Sequence, residues 1–255
     1  MQFIDLAKQQ SLIKTNLDKR IQDVLAHGKY IMGPEIKEME AQLAEYVGVK
    51  HCVSCSSGTD ALLMPLLAWD VGPGDAVFTT PFTFIATAEV IQLLGATPIF
   101  VDIDPKTYNI SPELLDDAIT EVIEKGELNP KVIIPVDLFG LPADYAAIEL
   151  ISKKYDIKIL EDAAQGFGGQ IDDRLAGSFG DAASTSFFPA KPLGCYGDGG
   201  AIFTDDDELY EKLVSVRVHG KGGDKYDNVR IGLNGRMDTL QAAIVLEKFP
   251  LFPTE

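Results

Sequence analysis

Five stretches of this chain carry side chains that can do chemistry together. The first is Ser186-Phe-Phe-Pro-Ala-Lys191, followed by Pro-Leu-Gly-Cys-Tyr-Gly-Asp-Gly-Gly200. An apolar strand ends there in a turn that presents a lysine beside a glycine-rich segment. Apolar neighbours push a lysine toward its neutral form, which Schiff-base chemistry requires. Ser186 lies near enough in the chain for its hydroxyl to reach a phosphate on the same ligand. Most loop lysines are simply solvated, so the flanks carry this reading.

The second stretch is Ile159-Leu-Glu-Asp162-Ala-Ala-Gln165, after a strong strand signal. A carboxylate at Asp162 can pair with a protonated ring nitrogen, and Gln165 can hydrogen-bond a ring oxygen from the same loop. An Asp after a strand is as often a helix cap. The third, Ser56-Ser-Gly58-Thr59-Asp-Ala-Leu62, is a turn opening a helix, where free amides bind phosphate; ordinary capping explains it equally well. The fourth, Pro81-Phe-Thr-Phe84-Ile-Ala-Thr87, places an aromatic at a strand's carboxyl end, where it can cover a planar ligand. The last, Gly232-Leu-Asn234-Gly-Arg236-Met-Asp238, is a loop running into an amphipathic helix.

These stretches sit between alternating elements. Leu12, Ile13, Leu17, Ile21, Val24 and Leu25 recur at helical spacing, and Pro34 opens a second helix that ends near Gly48. Strands are expected around 52–54, 76–79, 98–101, 132–136, 157–160, 184–187 and 201–204. Helices are expected near 60–68, 86–94, 112–123 and 145–154. Such alternation predicts an α/β fold, a mostly parallel sheet with helices on both faces, and ligands beyond the strands' carboxyl ends. The loop before 201–204 is too short for a crossover helix, so that strand is expected to be antiparallel.

Composition narrows the function. A length of 255 residues suffices for one large domain. The net charge of −17 argues against nucleic acid and anionic membrane as partners. No apolar run approaches the ~18 residues of a membrane span, and the start lacks a signal-peptide pattern. With three cysteines, a cytoplasmic location is expected. The stretch 211–236 runs against the acidic balance, with Lys212, Arg217, Lys221, Lys225, Arg230 and Arg236, and is a candidate for meeting an anionic substrate.

Together the five stretches resemble the DegT/DnrJ/EryC1/StrS family of fold-type I pyridoxal-phosphate enzymes, from Phe3-Ile-Asp-Leu to about Glu247. The resemblance implies pyridoxal 5′-phosphate as cofactor, carried by Lys191, with Asp162 on the pyridinium nitrogen and Gln165 near the ring oxygen. It implies a phosphate cradle of Gly58, Thr59 and Ser186, and Phe84 stacked on the ring. Asn234 matches a residue that reaches the neighbouring subunit's cofactor, which implies a homodimer with shared sites. A lysine at 191, where some members carry His and act as dehydrases, implies a sugar aminotransferase using an amino-acid donor, with glutamate expected.

The wording of Ala26–Glu35 and of 187–198 is similar to the group that aminates UDP-2-acetamido-2-deoxy-3-oxo-glucuronate for surface polysaccharides. Arg236 would then help hold the anionic nucleotide sugar. A 4-keto nucleotide sugar remains an alternative substrate. The family continues beyond the length seen here, so residues 1–248 are expected to form the cofactor-binding large domain. Residues 249–255 then begin a small domain or a non-native tail, and the C-terminal small domain is expected to be missing. On that basis a noncatalytic cofactor-binding remnant is a further alternative. A dinucleotide site is disfavoured because Gly166-Phe-Gly-Gly169 has the wrong spacing. Cys52-x-x-Cys55 lacks further metal ligands.

Overall fold

The computed structural model describes residues 5–224 and 226–254. Phe3 and Ile4, where the resemblance begins, and Lys225 of the basic stretch lie outside the described residues. Two helices lead, α1 (Leu6–His27) and α2 (Pro34–Val47). Asp5 caps α1 by accepting from the Lys8 amide, and Gly28 ends it in the left-handed conformation at φ 67°. Pro34 sits in the first turn of α2, where its missing N–H is no loss. Ile13, Leu17 and Val24 form the buried stripe of α1. Leu12 and Leu25, expected on that stripe, are instead exposed, because each is rotated about 100° from a buried neighbour.

The alternating part follows as β1 (His51–Cys55), α3 (Gly58–Ala68), β2 (Asp75–Thr79), α4 (Ala86–Leu93), β3 (Thr97–Phe100), α5 (Pro112–Lys125) and β4 (Asn129–Ile134). It continues with α6 (Tyr145–Tyr155), β5 (Lys158–Asp162), a small hairpin of β6 (Gln170–Ile171) and β7 (Arg174–Leu175), β8 (Ala182–Ser186) and β9 (Gly200–Thr204). Two α-helices follow, α7 (Asp207–Val216) and α8 (Thr239–Lys248), and a 3-10 turn at Phe252–Thr254 closes the described chain. Sequence reading placed every strand of the main sheet, with ends off by a few residues. It did not anticipate α7, which Asp206 caps through the amides of Glu208 and Leu209.

The seven-stranded sheet has the order β1-β9-β8-β5-β4-β2-β3. Strand β9 is antiparallel to both neighbours, as its short loop requires, and the pairs β8·β5, β5·β4, β4·β2 and β2·β3 are parallel. One face is covered by α3, α4 and α7 through Leu62, Leu66, Val90, Ile91 and Leu213. The other face has two cores. Helices α1, α2 and α8 cover β1, β8 and β9, while α5 and α6 cover β2, β4 and β5. After β2 the chain turns to β3 on one side, then crosses back to β4 on the other. That reversal opens a crevice at the strands' carboxyl ends. No helix of the described residues is long and apolar enough to cross a membrane.

A buried ion pair locks the edge of the sheet. Arg217, just after α7, is 4% exposed and donates to Glu40 of α2 at 2.5 Å and to the Ser54 carbonyl at 3.0 Å. Glu40 also accepts from the Ser54 amide and hydroxyl. Arg217 is therefore part of the frame and not of a basic surface. Replacing Glu40 by Ala leaves a buried guanidinium without its counter-charge, which costs about 3–5 kcal/mol. Urea unfolding of Glu40→Ala is expected to show that loss; a change under ~1 kcal/mol would refute the clamp.

Candidate active site

The crevice holds a cavity of about 820 Å³. Its wall is built from the segments that follow β1, β2, β4, β5 and β8, so five separate strands aim residues into one space. Ser57, Gly58 and Thr59 come from the turn before α3; Thr83, Phe84 and Thr87 from the entry to α4. Asp162, Ala164 and Gln165 follow β5, and Ser186, Phe188 and Lys191 follow β8. Seven sequence-predicted site residues thus meet in one cavity: Gly58, Thr59, Phe84, Asp162, Gln165, Ser186 and Lys191. Asn234 and Arg236 do not line it. They lie in the loop before α8, where Arg236 donates to the Asn234 side-chain oxygen, and Asn234 is exposed.

At one end the first turn of α3 supplies amide groups. Ser57 caps the helix, its hydroxyl accepting from the Asp60 amide and its carbonyl from the Ala61 amide. The amides of Gly58 and Thr59 have no acceptor within the helix and carry its positive end. A Cβ on Gly58 would lie 2.6 Å from the Cβ of Ser186, so only glycine lets this turn approach β8. The result brings two amides and the Ser186 hydroxyl to one spot, a set suited to an anionic phosphate.

Asp162 is buried, 4% exposed, at the end of β5. Its Oδ2 accepts from the Thr87 hydroxyl at 2.9 Å and its Oδ1 from the Ala164 amide at 3.2 Å. Thr87 is held in turn by Thr83 at 2.9 Å. Burial raises the proton affinity of Asp162 above the ordinary carboxylate range, opposed by those two bonds and by the charge of Lys191. For Lys191, burial lowers the pKa and the charge of Asp162 opposes the change. Each group is thus drawn toward neutrality by the cavity and toward charge by the other. Lys191 is held at the backbone by its amide, which donates to the Phe188 carbonyl at 2.8 Å.

Gln165 accepts from the Phe139 amide at 3.3 Å through its side-chain oxygen, which turns its NH₂ into a free donor for the cavity. Phe84 is 66% exposed on the rim, an aromatic face open to a ligand. Sequence reading missed Thr87 and Thr83, although Thr87 stands one helical turn beyond Phe84. The two cysteines of Cys52-x-x-Cys55 are buried on opposite faces of β1, in different cores, and cannot share a ligand. Among the described residues no cluster of His, Cys, Asp and Glu has the makings of a metal site. His219 is exposed in a left-handed turn at φ 57°.

The model of the DegT/DnrJ/EryC1/StrS aminotransferase family matches residues 11–253. The chain belongs to that family. Among relatives, the UDP-2-acetamido-2-deoxy-3-oxo-D-glucuronate aminotransferase of Pseudomonas aeruginosa is 52% identical over 255 residues, covering 100% of this chain and 69% of that protein. A crystal structure of a DegT/DnrJ/EryC1/StrS aminotransferase from Brucella abortus superposes with a TM-score of 0.99 at 55% identity, over 100% of this chain and 68% of that one. NtdA of Bacillus subtilis, solved with bound cofactor PMP, matches with a TM-score of 0.90 at 34% identity, over 100% and 57% of the two chains. The chain therefore spans about two thirds, or somewhat less, of the length of these family members. Its fold is that of the family's pyridoxal-phosphate aminotransferases.

The residues present fit that cofactor. The Gly58–Thr59 amides and Ser186 would hold its phosphate, Asp162 would face its ring nitrogen, and Lys191 would reach its carbonyl carbon. Filling the Gly58 cradle tests the fit. Overpacking against Ser186 costs about 1–3 kcal/mol, so Gly58→Ala is expected to bind pyridoxal 5′-phosphate at least ~5-fold more weakly. Fluorescence titration measures this, with circular dichroism as the control for folding. Unchanged affinity would move the phosphate site elsewhere.

Proposed function

We propose that this chain is the cofactor-binding large domain of an aminotransferase that aminates a nucleotide-linked keto sugar, with Phe249, Leu251 and Phe252 after α8 packed back onto the core of that domain. The observation that carries the reading is the placing of Lys191 and Asp162 in one cavity with the open amides of α3. The substrate favoured is UDP-2-acetamido-2-deoxy-3-oxo-glucuronate, with glutamate as amino donor, in the cytoplasmic synthesis of surface polysaccharide such as lipopolysaccharide. The Pseudomonas aeruginosa relative, which bears that activity in its name, supports this choice over a 4-keto sugar.

Pyridoxal 5′-phosphate, when bound, supplies the carbonyl that receives the amine and the ring that delocalises the electron pair left on the donor's Cα. Asp162 holds the proton on the ring nitrogen, and its bonds from Thr87 and Ala164 keep its carboxylate aimed there. Lys191, drawn toward its uncharged form by burial, is the base whose Nζ would take the proton from the donor's Cα. Gly58, Thr59 and Ser186 anchor the phosphate, and Gln165 orients the ring from its free NH₂. Phe84 covers one ring face and narrows access of water.

Asn234 and Arg236 fit a role across a homodimer: they stand outside their own cavity, in the loop before α8, with Asn234 exposed and Arg236 half-buried. Leu12, Leu25, Tyr30 and Ile31 are exposed apolar side chains on and after α1, which a second copy would cover. Arg236 then meets the anionic sugar in the partner's site.

Visible absorption with added pyridoxal 5′-phosphate tests the reading. A band that Lys191→Ala abolishes, and that glutamate bleaches in the parent, is expected. A band indifferent to glutamate would assign cofactor binding without amine transfer, and no band from folded protein would sink the cofactor assignment.

A further inference from the structure

Behind Asp162, on the opposite face of the sheet, lie two carboxyls that the proposed chemistry leaves unused. Successive residues of a strand point to opposite faces, so Glu161 faces away from the cavity. Asp137, three residues beyond the end of β4, meets it there. Both are 0% exposed. Glu161 accepts the Gly177 amide on Oε1 at 2.7 Å and the Phe179 amide on Oε2 at 2.8 Å. Asp137 Oδ1 accepts the Ala143 amide at 3.0 Å and the Tyr145 hydroxyl at 2.8 Å. Its Oδ2 is buried with no N–H or O–H donor directed at it. The two carboxyls lie within hydrogen-bond reach of each other.

Carboxyls placed so cannot both be ionised without strong repulsion in a dry interior, and a proton between them removes it. Burial above all lifts Asp137, to about 6, and burial followed by the charge of Asp137 lifts Glu161 well above the carboxylate range. Those shifts taken alone leave the last proton on Glu161, but the hydrogen bonds around the two carboxyls favour Asp137. Both oxygens of Glu161 already hold an amide, whereas Oδ2 of Asp137 is the oxygen with no donor. We propose that Asp137 and Glu161 share one proton, carried on Asp137 and donated to Glu161, and that this pair positions Asp162 above it.

The transmission is direct. The Asp137 amide donates to the Asp162 carbonyl at 3.0 Å, and the Asp162 amide to the Pro135 carbonyl at 2.9 Å. A shift of Asp137 therefore moves the backbone that aims Asp162 into the cavity. The network also closes on itself, because the Tyr145 ring stacks on Phe179 at 4.2 Å and 5°, the residue whose amide holds Glu161. The titratable groups facing the pair are Tyr145 from α6 and Asp162 from β5, with Lys191 acting on Asp162 from the cavity side. The positioning role rests on the cofactor reading; the shared proton does not.

An asparagine at 137 imitates a protonated carboxyl, since its NH₂ donates where the O–H did. In the full chain, Asp137→Asn is expected to keep pyridoxal 5′-phosphate affinity within about twofold, and Asp137→Leu to lose at least ~10-fold. Glu161→Gln would face two amide donors with its own NH₂ and is expected to be the more damaging amide replacement. The pH dependence supplies an independent readout. A folded state that keeps a proton released on unfolding is most stable at low pH and loses that stability as pH rises through the folded pKa. Urea unfolding without cofactor should show the parent's unfolding constant rising with pH, relative to Asp137→Asn, above the ordinary carboxylate pKa of about 4, and levelling once the pair has lost its shared proton. Superposable pH profiles would overturn the shared proton. An Asp137→Asn protein as weak in cofactor binding as Asp137→Leu would overturn the positioning role. No Lys191-dependent band in the parent would sink the cofactor reading and that role with it, while the unfolding profiles still decide the proton.

Discussion

The turn at Ser57–Gly58 is pressed against the ends of β8 and β9 so closely that neither side has room for a Cβ. One on Gly58 would stand 2.6 Å from the Cβ of Ser186, and one on Gly200 would stand 2.5 Å from the Ser57 carbonyl oxygen. Strand β9 runs antiparallel between β1 and β8, so this contact ties the start of α3 to the segment that carries Lys191. The distance from the helix's free amides to the lysine is thereby set by backbone against backbone. Side chains elsewhere in the cavity adjust by rotamer, but this approach cannot widen without breaking the ladder between β1, β9 and β8. Positions held in this way lose little to thermal motion, which is what a site that must align several atoms of one ligand needs.

Electrostatics then divide the cavity into two ends. The chain carries a net charge of −17, yet its cavity offers the positive end of a helix, with Lys191 and the buried Asp162 acting on each other within it. Such a distribution suits a ligand that is anionic at one end and protonated at the other. Global charge repels nucleic acid, and the local field is set by partial charges on amides that no count of Lys and Arg reveals. Arg217 makes the complementary point. It belongs to the one basic stretch in the sequence, but it is buried against Glu40 and Ser54 and contributes to the frame.

Much of this was legible because the determinants are local. Short apolar runs bounded by Gly, Pro and Asp marked the strands, and the short loop before Gly200 required β9 to reverse direction. Lys191, Asp162 and Gly58 stood out because each ends or follows an element, where a parallel sheet gathers its ligand contacts. The helix α7 was legible as well, since Asp206 can cap it and Leu209, Leu213 and Val216 recur at helical spacing. Thr87 and Asp137 were not legible in this way. A threonine in a first helical turn and an aspartate before a turn have ordinary capping explanations, and only the folded chain shows that each abuts Asp162. Asn234 and Arg236 came from family resemblance alone, and the fold puts them outside the cavity of their own chain.

Polar groups buried at the strand ends have a purpose that apolar packing serves poorly. An apolar core accepts exchanges of similar volume with small shifts of backbone, whereas a hydrogen bond loses its strength within a few tenths of an ångström or a few tens of degrees. Asp162 is held at side chain and backbone alike: Thr87 and Ala164 fix its carboxylate, and the Asp137 amide fixes its carbonyl. Two apolar residues in place of Asp137 and Glu161 would avoid the desolvation of two carboxyls. They would also leave the Gly177, Phe179 and Ala143 amides and the Tyr145 hydroxyl without acceptors. Four buried donors without partners cost more than the pair with its shared proton. The loop geometry that supplies those donors is the same geometry that carries the chain past the cavity floor, so the acids and the site are selected together by one fold.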